Sequence, residues 1–170
     1  IVKRPDLNAP ILSIKKIPET EMEVIALFYE LVGRGHLDKY ETWMLSPSEE
    51  FDGRMIIRFP NLNIAAPKSD RDLYLIEFKT SLSLLVDDFD EGRKTIDNSL
   101  VLVVVWENDF DEVYTTGHMR FEVIDIEETE ISDNRLPYVK SCLHDRDTGI
   151  VAQILELKDV VEAIKNLPQE

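Results

Sequence analysis

Three side chains in this sequence have the types and spacing for chemistry at a phosphate. Asp52 stands at the head of the apolar run "FDGRMIIRF", and Glu77 and Lys79 stand together in "DLYLIEFKT", 25 positions further on (77 minus 52). In an extended segment, residues two apart project from one face, so Glu77 and Lys79 are neighbours on a strand. Taken alone, such a pair reads first as a solvated strand-end ion pair and only second as part of a metal site. Asp52 adds a second carboxylate. If the two strands lie side by side, the carboxylates converge, and with the backbone carbonyl of Phe78 they make an oxygen donor set suited to Mg²⁺ or Mn²⁺. Lys79 would then stand beside a metal-bound water, placed to orient it or to stabilise charge building on phosphorus. Glu30, near the end of a helical pattern, could reach the cluster from outside, binding metal directly or through water, and reads as readily as a solvated helix carboxylate. Glu23 competes for that role, but its spacing from Thr20 gives it a capping task.

The elements that would position these groups are visible as hydrophobic patterns. Thr20 and Glu23 have capping-box spacing, and Val24, Leu27, Phe28, Leu31 and Val32 share one helical face that stops at Gly33 and Gly35. Tyr40 to Leu45, Phe51 to Phe59 and Leu73 to Phe78 read as strands, and Leu82, Leu85, Val86 and Phe89 as one face of a second helix. The β-branched run "SLVLVVVW", Ser99 to Trp106, reads as a strand buried on both faces. Further strand-like runs, "YTTGHMRFEVIDI" and the pair flanking the turn "DRDTG", precede a short helical pattern from Lys158 to Asn166.

This arrangement resembles the PD-(D/E)xK nuclease superfamily. The residues that carry the resemblance are Asp52, then Glu77-Phe78-Lys79, in a helix-strand-strand-strand-helix-strand order, together with "ALFYELVGRGHLDKY", "FDG" and "LIEFKTSLSLLVDDFD". These runs are similar to nuclease-like domains attached to bacterial ATPase domains of the heat-shock-chaperone and histidine-kinase type. The resemblance implies an α/β fold with a restriction-endonuclease-like core (α-β-β-β-α-β, a mixed central sheet flanked by helices) carrying a C-terminal β-hairpin and a short helix. It also implies Asp52 and Glu77 as metal ligands, Lys79 as the catalytic lysine and Glu30 as support. The expected reaction is hydrolysis of DNA by a metal-activated water, within a larger bacterial protein of genome defence or DNA processing.

The organisation expected is an N-terminal arm or linker remnant over 1–19, broken by Pro5, Pro10 and Pro18, and a single domain over 20–170. Its core spans about 20–107 and its extension 108–170. A chain of 170 residues with 44% hydrophobic residues can bury a core. It opens on Ile1 with no signal-like pattern and no apolar run of membrane-spanning length, so the expectation is a soluble, cytoplasmic piece of a longer protein. Cys142 is the only cysteine, which excludes an internal disulfide and a cysteine-based zinc cluster.

The net charge of −15, from 34 acidic and 19 basic residues, repels phosphate backbones and predicts weak DNA binding by the isolated domain. Arg93 and Lys94 are the expected phosphate contacts, with Arg54 and Lys68 behind them. An attached ATPase domain, a protein partner and a second copy of the chain complete the expected partners; no membrane is among them. His36 and His118 follow glycines in turn-like stretches and lack metal-site spacing, so both read as surface residues. The acidic run Asp87 to Glu91 could form a second cation site, but reads more readily as a solvated helix end. "GRGH" and "EGRK" lack phosphate-loop spacing, and no Ser, Cys or Thr stands in a nucleophile motif. The rival to a nuclease is a non-catalytic module of the same fold whose acidic surface binds a protein or regulates an attached ATPase. A sensory or ligand-binding α/β domain comes third.

Overall fold

The computed structural model describes residues 4–45, 51–57, 74–96, 100–110, 114–115, 120–129 and 135–165. Helix α1 (Glu21–Gly33) opens on the capping box read from the sequence: the Glu23 N–H donates to the Thr20 side chain at 3.3 Å, and the Thr20 N–H donates to the Glu23 carboxylate at 3.2 Å. It closes in a Schellman motif, with His36 N–H donating to Leu31 O at 3.0 Å and Gly35 N–H to Val32 O at 3.0 Å. Gly35 takes the left-handed conformation the motif requires, at φ 81°.

Three strands follow, β1 (Tyr40–Leu45), β2 (Gly53–Ile57) and β3 (Tyr74–Lys79), then helix α2 (Leu82–Asp90) and β4 (Leu100–Val105). The two-residue β5 (Tyr114–Thr115), β6 (Arg120–Asp125), a 3-10 turn (Ile126–Glu128), the hairpin β7 (Ser141–Asp145) and β8 (Val151–Glu156), and helix α3 (Leu157–Lys165) complete the elements among the described residues. All the strands belong to one mixed sheet in the order β1-β2-β3-β4-β8-β7-β6-β5. Its centre, β3-β4-β8, is parallel, and an antiparallel wing extends from each side. The chain is therefore a mixed α/β protein. Among the described residues, no helix is long and apolar enough to cross a membrane.

Both faces of the central strands are apolar, so each must be covered. On one face Ile76, Phe78, Leu102 and Val104 pack with α1 and α3; on the other Val103 and Val105 pack with Leu82, Leu85, Val86 and Phe89 of α2. Phe28 anchors the first core through edge-on contacts with Phe78, Tyr29 and Tyr40, at ring separations of 5.3, 5.2 and 5.9 Å. Because Phe78 points to the α1 face, Glu77 and Lys79 point to the α2 face.

Two segments differ from the sequence reading. The N-terminal arm is not a free linker. Leu7 N–H donates to Lys15 O and Ile17 N–H to Pro5 O, at 2.8 and 3.2 Å, while Leu7, Ala9 and Leu12 are buried in the first core. The prolines interrupt regular elements, yet they leave one antiparallel bridge, Asp6 with Lys16, and leave the intervening apolar side chains free to pack. The region after 108 does more than extend the core: β8 lies beside β4 in parallel register, Leu102 against Gln153 through Val105 against Glu156. The hairpin expected around "DRDTG" thus supplies a central strand of the sheet.

Candidate active site

The register of β2 on β3, Gly53 opposite Ile76 and Arg54 opposite Leu75, puts Asp52 opposite Glu77 one step further on. Facing residues of an antiparallel pair have Cβ atoms about 4.5–5.5 Å apart, so the two carboxylates occupy one place. Hydrogen bonds hold them there. The Phe78 N–H donates to Asp52 Oδ2 at 2.7 Å, and the Asp52 N–H donates to Glu77 Oε2 at 3.4 Å. Glu77 is 0% exposed, whereas Asp52 is half-buried.

A fully buried carboxylate needs compensation. Two ammonium groups supply it, Lys79 Nζ at 3.2 Å from Glu77 Oε1 and Lys94 Nζ hydrogen-bonded to the same oxygen. Burial nevertheless pushes the Glu77 carboxyl up to about 7, against the pull of Lys94 and Lys79 and with the Asp52 charge adding to the rise. Lys79 is itself pinned by Glu21, from the first turn of α1, and by Asp88 of α2, each at 3.1 Å. Burial alone would lower the Lys79 pKa, but Glu77, Glu21 and Asp88 together hold it above the usual lysine range. Asp88 goes the other way. Burial raises its carboxyl, and hydrogen bonds from Arg93 and Lys79 outweigh this and bring it below the ordinary aspartate value.

Around Lys79 the surface opens into a groove of about 300 Å³, lined by Thr20, Glu21, Lys79, Leu84, Asp88 and Arg93 among others. One Schellman motif and one cap shape this corner. In α2, Arg93 N–H donates to Asp88 O at 2.9 Å and Gly92 N–H to Phe89 O at 3.1 Å, with Gly92 at φ 69°. That turn sends Arg93 and Lys94 back toward β3. The other end of α2 is capped from the loop after β4, Asp109 accepting from Ser83 N–H at 3.1 Å and from Ser83 Oγ at 2.6 Å.

The structure brings Asp52, Glu77 and Lys79 together and adds Lys94. It does not bring Glu30. That carboxylate accepts from the backbone N–H groups of Ser13 and, at 3.1 Å, Ile14, and from Arg34 Nε at 2.9 Å, so it fastens the arm to α1. The nine-residue offset from Glu21 amounts to about 13 Å along a helix, which places the two acids at opposite ends of α1. We expect Glu30→Ala to make residues 4–18 the first site of limited proteolysis, because two backbone donors lose their acceptor.

Arg93 pairs with Asp88 at 2.7 Å and also with Glu91. Lys94 lies inside the cluster, its side chain 14% exposed and hydrogen-bonded to Glu77. Arg54 is half-buried on β2, opposite Leu75. Phe78 takes part through its N–H, with its side chain in the α1 core. Lys68 and His118 lie outside the described residues, and His36 is half-buried in the Schellman turn after α1.

Two participants had gone unread in the sequence. Asp88 belonged to a run taken as solvated, yet it follows Leu85 by three positions and precedes Phe89, both buried on the inner face of α2; helical spacing was the available signal. Glu21 directly follows the N-cap, a position that carries no mark of which strand end it will face.

Asp52 and Glu77 are hard oxygen donors, held side by side and half or wholly out of water. Mg²⁺ is commonly bound through one or two carboxylates while keeping several waters, so this pair fits such an ion. Among the described residues there is no group of three or more His, Cys, Asp or Glu side chains arranged around one metal position. Comparison with family models, with curated proteins and with solved structures finds no match for this chain.

Proposed function

We propose that this chain is a metal-dependent DNA endonuclease domain of PD-(D/E)xK type built on a restriction-endonuclease-like core. The observation that carries the reading is the meeting of Asp52, Glu77 and Lys79 at one point of the β2–β3 pair, with Asp52 fastened to the Phe78 N–H. The element order supports it too: α1, an antiparallel β1-β2-β3 meander, α2, then β4 parallel to β3.

Asp52 and Glu77 would hold the Mg²⁺ or Mn²⁺ ion. When bound, such an ion lowers the pKa of its water and polarises a phosphoryl oxygen. Lys79 stays charged at neutral pH, because three carboxylates surround it. Its role is therefore that of a fixed cation beside the attacked phosphorus, stabilising the oxyanion charge that develops there, and not that of a base. Glu21 and Asp88 keep its ammonium in place, which matters because a loosely held charge stabilises a transition state poorly.

A second reading, a non-catalytic interaction domain of the same fold, draws support from the basic side chains near the site. Lys79, Lys94 and Arg93 are each already paired with carboxylates, and the chain as a whole carries a charge of −15. Incubation with supercoiled plasmid and short duplex DNA separates the two. The nuclease reading expects nicking or linearisation that needs added Mn²⁺ or Mg²⁺ and stops with EDTA. Intact DNA, together with no heat of Mn²⁺ binding, would leave the interaction domain.

A further inference from the structure

Two ammonium groups share Glu77 Oε1, and they are not held alike. Lys79 is tied to Glu21 and Asp88 as well as to Glu77. Among the described residues, Lys94 has no carboxylate partner other than Glu77. Its ammonium lies 5.5 Å from the ring centre of Phe51, the residue directly before Asp52. It comes from outside the sheet, delivered by the Gly92 turn that ends α2, with its backbone N–H donating to Asp88 O at 3.2 Å. Lys94 is thus a monovalent cation seated on the buried carboxylate beside Asp52, on a flexible four-carbon stem whose anchor is a turn.

From this we propose that Lys94 is a built-in counter-cation for the empty site: its ammonium neutralises Glu77 until a divalent ion arrives, and it must leave Glu77 for that ion to bind. The proposal rests on the metal-site reading above. The argument is electrostatic. A divalent ion on Glu77 and an ammonium on the neighbouring oxygen repel at contact distance around a carboxylate that is itself 0% exposed, where charges are weakly screened. One of them has to go. Lys79 keeps two carboxylates when Glu77 turns to the metal, whereas Lys94 keeps none among the described residues, so Lys94 is the group released. Side-chain rotation suffices, since the Arg93 and Lys94 N–H bonds to Asp88 O can stay in place. Lys94 therefore sets a threshold concentration of divalent ion for occupancy, and it prevents an uncompensated buried charge below that threshold.

Mn²⁺ titration calorimetry on the wild-type chain, Lys94→Met and Asp52→Asn tests this. The methionine keeps the apolar stem over Phe51 and deletes the charge. Lys94→Met should bind Mn²⁺ about tenfold more tightly than wild type, because the ion no longer displaces a cation from a buried carboxylate; equal or weaker binding overturns the proposal. In case Lys94→Met does not fold, a second measurement uses the wild-type chain alone. Trace acetylation read by peptide mass spectrometry should modify Lys94 faster in saturating Mn²⁺ than in EDTA, while Lys79 stays protected in both. A Lys94 rate that Mn²⁺ leaves unchanged overturns the proposal as well. If no Mn²⁺ binding is lost in Asp52→Asn, the metal-site reading itself fails and takes this proposal with it, an outcome distinct from Asp52-dependent binding that ignores Lys94.

Discussion

Asp52→Asn should abolish both Mn²⁺ binding and DNA cleavage, whereas Lys79→Met should abolish cleavage and leave Mn²⁺ binding nearly intact. The asymmetry follows from where the two side chains sit. Asparagine keeps an oxygen to accept the Phe78 N–H that Asp52 accepts at 2.7 Å, so β2 and β3 stay joined, and what is lost is the charge. Residues one shell beyond a metal already cost 10–100-fold in affinity when mutated, so loss of a ligand charge should weaken binding by more than about 100-fold. Lys79 is no metal ligand. Its ammonium faces Glu77, Glu21 and Asp88 and borders the groove where a phosphate would enter. Removing one preorganised group that stabilises oxyanion charge costs about 10²–10³-fold in kcat. Calorimetry and a plasmid-nicking assay on the same three preparations check both halves. Parallel loss of binding and cleavage in Lys79→Met would mean that the lysine holds the site together and does not act on phosphate.

In metal-free buffer with EDTA, the folded protein should become more stable as pH falls from above 7 toward 4.5. Glu77 is the cause. Burial holds its carboxyl at about 7 in the folded chain, against an ordinary value of 4.5 once unfolded. Between those two values the folded state binds the proton and the unfolded state does not, so stability must fall as pH rises through this window. The span corresponds to about 3 kcal/mol, a large part of a typical domain's stability. Urea unfolding of wild type and Glu77→Gln at pH 5.5 and pH 8 isolates the effect, since glutamine cannot titrate. The wild-type midpoint should drop between the two pH values by clearly more than that of the variant. Equal slopes would show that the carboxylate is better compensated by Lys79 and Lys94 than its burial implies. The direction sets this group apart from most carboxylates, whose native ion pairs favour stability at higher pH.

Much of the framework was legible because it is local. The Thr20–Glu23 capping box, the apolar face of α1, the strand Tyr40–Leu45 and the inward positions of α2 are written in contacts between residues a few positions apart. Asp52 and Glu77 could be paired in advance because two adjacent strands joined by one connection bring chosen positions together under a simple register. The N-terminal arm was less legible. Its prolines announce irregular backbone, and nothing in such a pattern tells whether Leu7 and Leu12 will find a core.

Side chains that converge from distant elements were out of reach. Glu30 and Glu21 look alike along α1; only the packing of that helix brings Glu21 to Lys79 and Glu30 to the arm. Lys94 reads from the sequence as a phosphate contact near the site, and only the reversal of the chain at Gly92 makes it the partner of Glu77. The parallel pairing of β8 with β4 joins segments about fifty residues apart, and no local pattern encodes that choice. By itself, then, the sequence determined the elements, their order, the acidic charge and the candidate triad of Asp52, Glu77 and Lys79. The tertiary structure alone decided which charges compensate the buried Glu77, since that depends on the three-dimensional meeting of β2, β3, α1 and α2 and on the desolvation it creates.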